Sequence, residues 1–253
     1  MTPSLVIIPA YNEESSIYQV VTEALQYSDV SVTNDGSIDS TGEILEKIRQ
    51  ECRESKHKNS LHVITHAKST HIPLGIQDGL KYGVEKGYSW LVTMDAGMSH
   101  QPAAIKDFLS VDNKTDIVIG TRKKTENVPI YRKAISLVAS MLVNYALTDT
   151  YFSRLKPEIK DCTSGFRRYS KRAAEAIAKR QLVSKSFDFH MEALSICVRK
   201  GYSFKDVPIT YVFSNSSFSL KVLKDAAIFA IYLLKTKRPS ARVHKLARST
   251  SSN

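Results

Sequence analysis

The sequence predicts an α/β protein whose mostly parallel sheet is flanked by helices, and three observations carry that reading. Short unbroken apolar runs, such as LVII at 5–8 and IVI at 117–119, are what strands covered on both faces look like. Segments of helical periodicity separate them, so strand and helix alternate through the first half. The 253 residues, 42% hydrophobic and 24% charged, suit one domain with an ample core and exclude a disordered or collagen-like chain.

Strand one occupies 5–8 and stops at Pro9. Residues 15–27 then place Ile17, Val20, Val21, Ala24 and Leu25 on one helical face. A second strand at 30–33 runs into an NDGS turn at 34–37, and 40–54 is an amphipathic helix rich in Glu, Lys and Arg. A third strand at 61–64 precedes a helix near 74–86. A fourth at 89–94 precedes a helix after Pro102, and a fifth at 116–119 closes the regular half. Further on come a helix over 130–147, a loop containing 161–166, and helices near 170–180 and 186–200. A strand over 203–213 follows, which Pro208 assigns to a sheet edge. An apolar helix covers 220–234. The predicted organisation is a main domain over 1–213, a helical extension over 214–236 and a basic tail over 237–253.

The 36 Lys and Arg against 25 Asp and Glu give a net charge of +11, which favours phosphate-bearing partners. Six of those cations (235, 237, 238, 242, 245, 248) lie beyond residue 234 with no acid among them. Three cysteines without a CxxC pair exclude a disulfide framework or a cysteine zinc site, and fit a reducing, cytoplasmic setting. No secretory leader is visible at the start. The uncharged run 226–234 is nine residues, short of the roughly 20 needed to span a bilayer. Two readings of 220–248 stay open: a peripheral, shallow anchor on an anionic membrane face, or a helix packed on the domain with a loose basic end.

In open α/β sheets ligands bind in the loops beyond the strands' carboxyl ends. Tyr11, Glu13, Asp35, Asp95 and Arg122 each follow a predicted strand, which points to a nucleotide-type ligand. The GxGxxG fingerprint and the Walker loop are absent, so dinucleotide and simple NTPase readings lose their support.

Six segments then occur in order: VIIPAYNEE at 6–14, NDGSID at 34–39, MDAGMSHQP at 94–102, IGTR at 119–122, DCTSGFR at 161–167 and VPIT at 207–210. With these the chain resembles the family 2 glycosyltransferases of GT-A fold, in their dolichyl/polyprenyl-phosphate mannosyltransferase-like branch. The resemblance implies an inverting transferase using a UDP- or GDP-linked sugar, with a polyprenyl phosphate as one acceptor class. It implies that Pro9, Ala10, Tyr11 and Glu13 meet base and ribose, that Asp35 accepts a hydrogen bond from the base, and that Asp95, Ala96 and Arg122 meet the donor's phosphate side. An aromatic face, carboxylates and a guanidinium suit those groups.

The same resemblance places a divalent cation, Mg2+ or Mn2+, at Asp95. The family's second acid there is Gly97 in this chain, so one carboxylate remains for a cation that wants several oxygens. Either the diphosphate and water carry the metal, or protein cations replace it. Lys123, Lys124, Arg132, Lys133, Arg167 and Arg168 are the nearby cations, each read first as part of a solvated face. The family's phosphate-gripping arginine and lysine after the late strand are missing: Ser214 stands at the arginine position and Lys221 is displaced. Asp161 and Glu192 are the acids available to deprotonate an acceptor hydroxyl, whereas a phosphate acceptor, already ionised, needs no base. His62, His66 and His71 lack metal-binding spacing, and His100 is read as orienting its loop. Two other readings remain, a transferase to a glycan hydroxyl and a non-catalytic nucleotide- or protein-binding domain. No nucleic-acid module is present.

Overall fold

The structure, a computed structural model, describes residues 3–55, 58–147, 159–213 and 220–236. Its first half follows the predicted alternation: β1 (Ser4–Ala10), α1 (Ile17–Ala24), β2 (Asp29–Asn34), α2 (Thr41–Glu54), β3 (Leu61–Thr65), α3 (His71–Glu85), β4 (Trp90–Thr93), α4 (Ile105–Ser110) and β5 (Ile117–Glu126). The second half adds α5 (Ile130–Leu147), β6 (Arg167–Ser170), α6 (Lys171–Ala178), α7 (Phe189–Arg199), β7 (Phe204–Val212) and α8 (Leu220–Lys235). The predicted tail and the Ser214 position lie outside the described residues, as do the side chains of Arg132, Lys133 and Lys221.

Among the described residues the strands form one sheet in the order β3-β2-β1-β4-β6-β5-β7. Every pairing is parallel except those of β6, which runs against both β4 and β5. Pro208 sits in β7, which pairs only with β5, so its missing N–H faces no partner strand. Two apolar layers cover the sheet, one built on Leu5, Ile7, Leu91 and Tyr169, the other on Val6, Ile8, Val92 and Phe166.

Strand β6 is the element that sequence patterning missed. Four residues, two of them arginine, carry no apolar run to read. Nor do Arg167 and Arg168 form a solvated face: both are fully buried. The Arg168 guanidinium donates to the carbonyls of Phe108, Val111, Asp112 and Thr115 and stacks 4.0 Å over Trp90, and burial brings its pKa down to about 10. Arg167 reaches the other side, donating to the carbonyls of Cys162 (2.7 Å) and His190 (2.5 Å). Because β6 runs backwards, the loop before it arrives at the carboxyl ends of β4 and β5.

Helix α3 lies tight on the sheet through Gly75, Gly79 and Gly83, spaced one turn apart. A Cβ on Gly79 would fall 2.4 Å from Ile7 Cγ2, and one on Gly83 would fall 2.4 Å from Leu91 Cδ2. Gly79→Ala is therefore expected to lower stability by about 1–3 kcal/mol through overpacking, read as a shift in urea midpoint at constant m-value.

Two fully buried imidazoles give the fold an acid sensitivity. Burial lowers the pKa of His100, and burial together with the cation of Arg167 lowers that of His190 well below the ordinary value. Below pH of about 6.5 the unfolded chain therefore binds protons that the folded chain refuses, so stability falls as pH falls. The slope is at most about 1.4 kcal/mol per pH unit for each ring. Urea unfolding at pH 7, 6 and 5 should show this decline, and His190→Gln should make it shallower; an unchanged slope in that variant would refute the assignment.

Candidate active site

Seven loops meet at the carboxyl end of the parallel strands and enclose a cavity of about 680 Å3. Register sets the meeting. Ala10 pairs with Asn34 and Ile7 with Thr93, so Tyr11, Asp35 and Asp95 leave three neighbouring strands side by side. The cavity is lined by Pro9, Ala10, Tyr11, Glu13, Asp35, Asp95, Ala96, Arg122 and Asp161. Of the predicted site residues Glu192 alone is outside the lining.

The first two loops are stitched together by polar side chains. Asn12, held at φ +54°, donates its N–H to Ser37 Oγ and accepts from the Ile38 N–H through Oδ1. Thr41 Oγ1 accepts from the Glu13 N–H, and Asp39 accepts from the Glu14 N–H. This leaves the Tyr11 ring about half exposed over the cavity. Glu13 is half-buried; burial raises its pKa, Ser16 opposes that, and the Asp95 charge adds to it.

Asp35 does something other than wait for a base. Its Oδ1 accepts from His66 Nδ1 (2.7 Å) and from the N–H and hydroxyl of Thr70 (2.8 Å each); Oδ2 accepts from Ser69 Oγ (2.7 Å) and the His71 N–H (2.9 Å). Five donors fill the roughly four lone-pair sites of a carboxylate. The acceptor capacity that the sequence reading assigned to the base is here taken up by the loop 66–71. In this structure Asp35 caps the start of α3 from the neighbouring loop, and that helix begins at His71 rather than at 74. His66 completes the clamp, its Nε2 standing 3.2 Å from Asp78.

On the opposite wall Asp161 holds Arg122. The guanidinium donates to Asp161 from Nε and Nη2 at 2.7 Å each, and Nη2 also donates to Ser136 and Thr163. The N–H groups of Thr163 and Ser164 donate to the same carboxylate. Arg122 keeps the Asp161 pKa low against the opposing pull of burial. A carboxylate so engaged is a weak base, and Asp161 positions Arg122. Arg122 Nη1 has no partner among the described residues. Lys123 and Lys124, just after it, are exposed, as read from the sequence.

Glu192 is engaged in a similar way. It is 5% exposed and accepts the N–H groups of Val183 and Ser184 at 2.7–3.0 Å. Asp188 accepts those of Lys185 and Ser186. Together they hold loop 182–188, which turns Lys185, Ser186 and Phe187 toward the cavity.

Three polar lining residues, among others, were not singled out from sequence. His190 is 2% exposed and its Nδ1 is buried without a partner. Asp225 of α8 has a buried, unpartnered Oδ2. Lys185 has no ion-pair partner among the described residues. Position within the strand-end loops marks none of them, because α7 and α8 deliver the first two from outside the regular half.

Asp95, one-third exposed, has His100 Nδ1 3.5 Å from its Oδ2 and 3.4 Å from its own N–H. His100 is fully buried against Phe166 and Tyr211, so it braces the Asp95 loop as read from sequence. Among the described residues no group of three His, Cys, Asp or Glu side chains could hold a metal. One carboxylate with a nearby imidazole fits a cation only as a partial shell, completed by ligand oxygens.

Comparison with known proteins agrees with this architecture. The family described as "Glycosyl transferase family 2" matches residues 5–178. An undecaprenyl-phosphate mannosyltransferase of Micrococcus luteus is 32% identical over 215 residues, covering 82% of this chain and 83% of its own. A polyprenol monophosphomannose synthase of Mycolicibacterium smegmatis is 29% identical, covering 82% and 77%. A UDP-N-acetylglucosamine–dolichyl-phosphate N-acetylglucosaminyltransferase of Methanococcus voltae is 27% identical, covering 84% and 87%. Among solved structures, glucosyl-3-phosphoglycerate synthase of Mycobacterium tuberculosis with Mn2+, UDP-glucose and phosphoglyceric acid superposes with a TM-score of 0.64. That pairing has 13% identity over 95% of this chain and 82% of the other. The ordered strand-end motifs, the GT-A sheet and the family match together show that this chain belongs to glycosyl transferase family 2.

Proposed function

We propose that this glycosyltransferase moves a sugar from a nucleoside diphosphate to a polyprenyl phosphate. The observation that carries the acceptor choice is that Asp161 and Glu192, the acids read as bases, are both spent on N–H donors. A phosphate oxygen is ionised at neutral pH and attacks without a base. It would form a bond to the sugar's anomeric carbon as the bond to the donor diphosphate breaks on the far side, inverting that centre. The released charge then sits on the diphosphate. Arg122 Nη1 is placed to donate to it, and a divalent cation, when bound, would neutralise it through Asp95. Tyr11 and Ser69 are the groups left to meet the base, since Asp35 is saturated.

The apolar side of the cavity supports a lipid acceptor. Ile72, Val128, Leu137, Ala139 and Met191 line it. Leu137 is also half exposed, and Val138 and Met141 on α5 and Ile228 and Ile231 on α8 are 52–55% exposed. No helix among the described residues is long and apolar enough to cross a membrane. The surface is read as resting on a bilayer, peripherally, where the acceptor lives.

One observation favours a second reading. The unpartnered Asp225 oxygen is a base for a hydroxyl acceptor. A panel of UDP- and GDP-sugars with a short polyprenyl phosphate or its alcohol, with and without Mn2+, separates them. Transfer to the phosphate alone is expected, with Asp95→Ala reducing turnover by at least about 100-fold. Asp225→Asn should leave turnover within about threefold; a loss above roughly 100-fold, with transfer to alcohols, would favour the hydroxyl reading. Val138→Glu with Ile231→Glu should cut vesicle binding and transfer to the lipid while sparing hydrolysis of the donor; unchanged flotation would remove the membrane face.

A further inference from the structure

A second cavity, a groove of about 370 Å3, lies beside the first, between the start of α3 and residues 181–185. His71 and Lys185 line both, so these two residues form the border between them. The backbone on each side of that border is held, the His71 N–H by Asp35 and the Lys185 N–H by Asp188. Pro73, Leu74 and Leu182 give the groove an apolar surface, and no carboxylate lines it among the described residues. Gln77 adds a polar group of set orientation. It is 5% exposed, and its Nε2 donates to the carbonyls of Ile177 (3.3 Å), Ala178 (3.2 Å) and Arg180 (2.7 Å) at the end of α6. Carbonyl oxygens only accept, so the amide must keep its nitrogen there and cannot be turned over. Oε1 is then the atom that Gln77 offers to the groove, and it has no hydrogen-bond partner among the described residues. An acceptor on a side chain placed so deep costs stability unless water or a ligand donates to it.

An acceptor, an apolar surface and a cation at the entrance match an acylamino group, whose N–H donates, whose alkyl end is apolar and whose carbonyl accepts. Other substituents fit less well. A carboxylate would meet the Gln77 oxygen with charge of the same sign, and an ammonium would meet Lys185 with no acid to balance it. A bare hydroxyl would leave the apolar surface against water. Resting on the nucleotide-sugar reading, we propose that the transferred sugar is a 2-acylamino hexose and that this groove holds its acyl group. The amide N–H goes to Gln77 Oε1, the alkyl end lies on Leu74 and Leu182, and the carbonyl faces Lys185.

UDP-N-acetylglucosamine, UDP-glucose and UDP-glucuronate share base and diphosphate and differ only in the sugar's substituents. Calorimetry of the full chain with each, in the presence of Mn2+, tests the groove without needing an acceptor. The N-acetyl donor should bind at least about tenfold tighter than either of the others, the scale set by one filled apolar pocket. Leu74→Trp, which fills the groove, and Gln77→Leu, which removes the acceptor, should each bring that ratio toward one. Both should bind UDP itself within about twofold of the wild type. A ratio of dissociation constants does not depend on how much of a variant folds, so lost stability cannot imitate the result. The wild-type ratio, moreover, needs no variant. Equal or tighter binding of UDP-glucose or UDP-glucuronate overturns the proposal while the donor reading stands, and so does binding of GDP-linked hexoses alone. A preference for the N-acetyl donor that survives both substitutions also overturns it. If no nucleotide sugar binds, the donor reading falls and this inference falls with it.

Discussion

Carboxylates that accept backbone N–H groups hold the cavity in shape. Asp35 fixes the start of α3, Asp161 fixes 163–164, Glu192 fixes 183–184 and Asp188 fixes 185–186. Loops at strand ends have few apolar contacts of their own, so something else must overcome their conformational entropy. Charge-assisted bonds from a buried acceptor are stronger than neutral ones, and each acid here gathers several. Acids that look catalytic by residue type thus also serve as scaffold. The surfaces they expose come from their neighbours: Ser69 and His71 beside Asp35, Arg122 beside Asp161, Lys185 beside Asp188.

Charge balance across the cavity follows from the same arrangement. Arg122 and Asp161 cancel at contact distance, so Arg122 offers directed N–H groups more than net charge. Arg167 has no carboxylate within ion-pair distance among the described residues, yet it is fully buried close to Asp161 and His190. It adds to what Arg122 does in keeping Asp161 ionised and to what burial does in keeping His190 neutral. A neutral imidazole keeps its lone pair, which is the form that can serve as a ligand or accept a proton. One buried cation thus reinforces the state of two lining residues that it does not hydrogen-bond through their side chains.

How far the sequence disclosed this depends on what each feature needs. The parallel strands were legible because burial on both faces leaves apolar runs, and the loop residues Tyr11, Asp95 and Arg122 because they follow those runs. Helix α5 was read at its observed bounds from periodicity alone. Strand β6 was not legible, since its stability comes from two arginines clamping carbonyls contributed by distant segments. The roles of Asp35 and Glu192 were hidden for a related reason. Whether a carboxylate meets a substrate or a backbone depends on which loop lies opposite, and residues 66–71 and 182–185 announce no partner. His190 and Asp225 escaped because helices from the irregular half bring them in.

The wall that carries Arg122 also connects the two ends of the reaction. Beyond Gly120, β5 and β7 continue as a two-stranded ribbon with a bulge between Arg122 and Lys124. Bulges bend a strand and redirect its side chains, and this one lies where Arg122 turns to Asp161. Tyr211 on the facing strand lies under the Arg122 guanidinium at 5.4 Å and against His100, while the Val212 N–H donates to the Ser99 carbonyl. The Asp95 loop, Arg122 and the end of β7 are therefore one packed unit. Helix α8 follows β7 in sequence and packs on α5, whose Ser136 reaches back to Arg122. On the proposed reading, a displacement of α5 would be felt at Arg122 through the Ser136 hydroxyl, so that acceptor entry and leaving-group contact would share one wall.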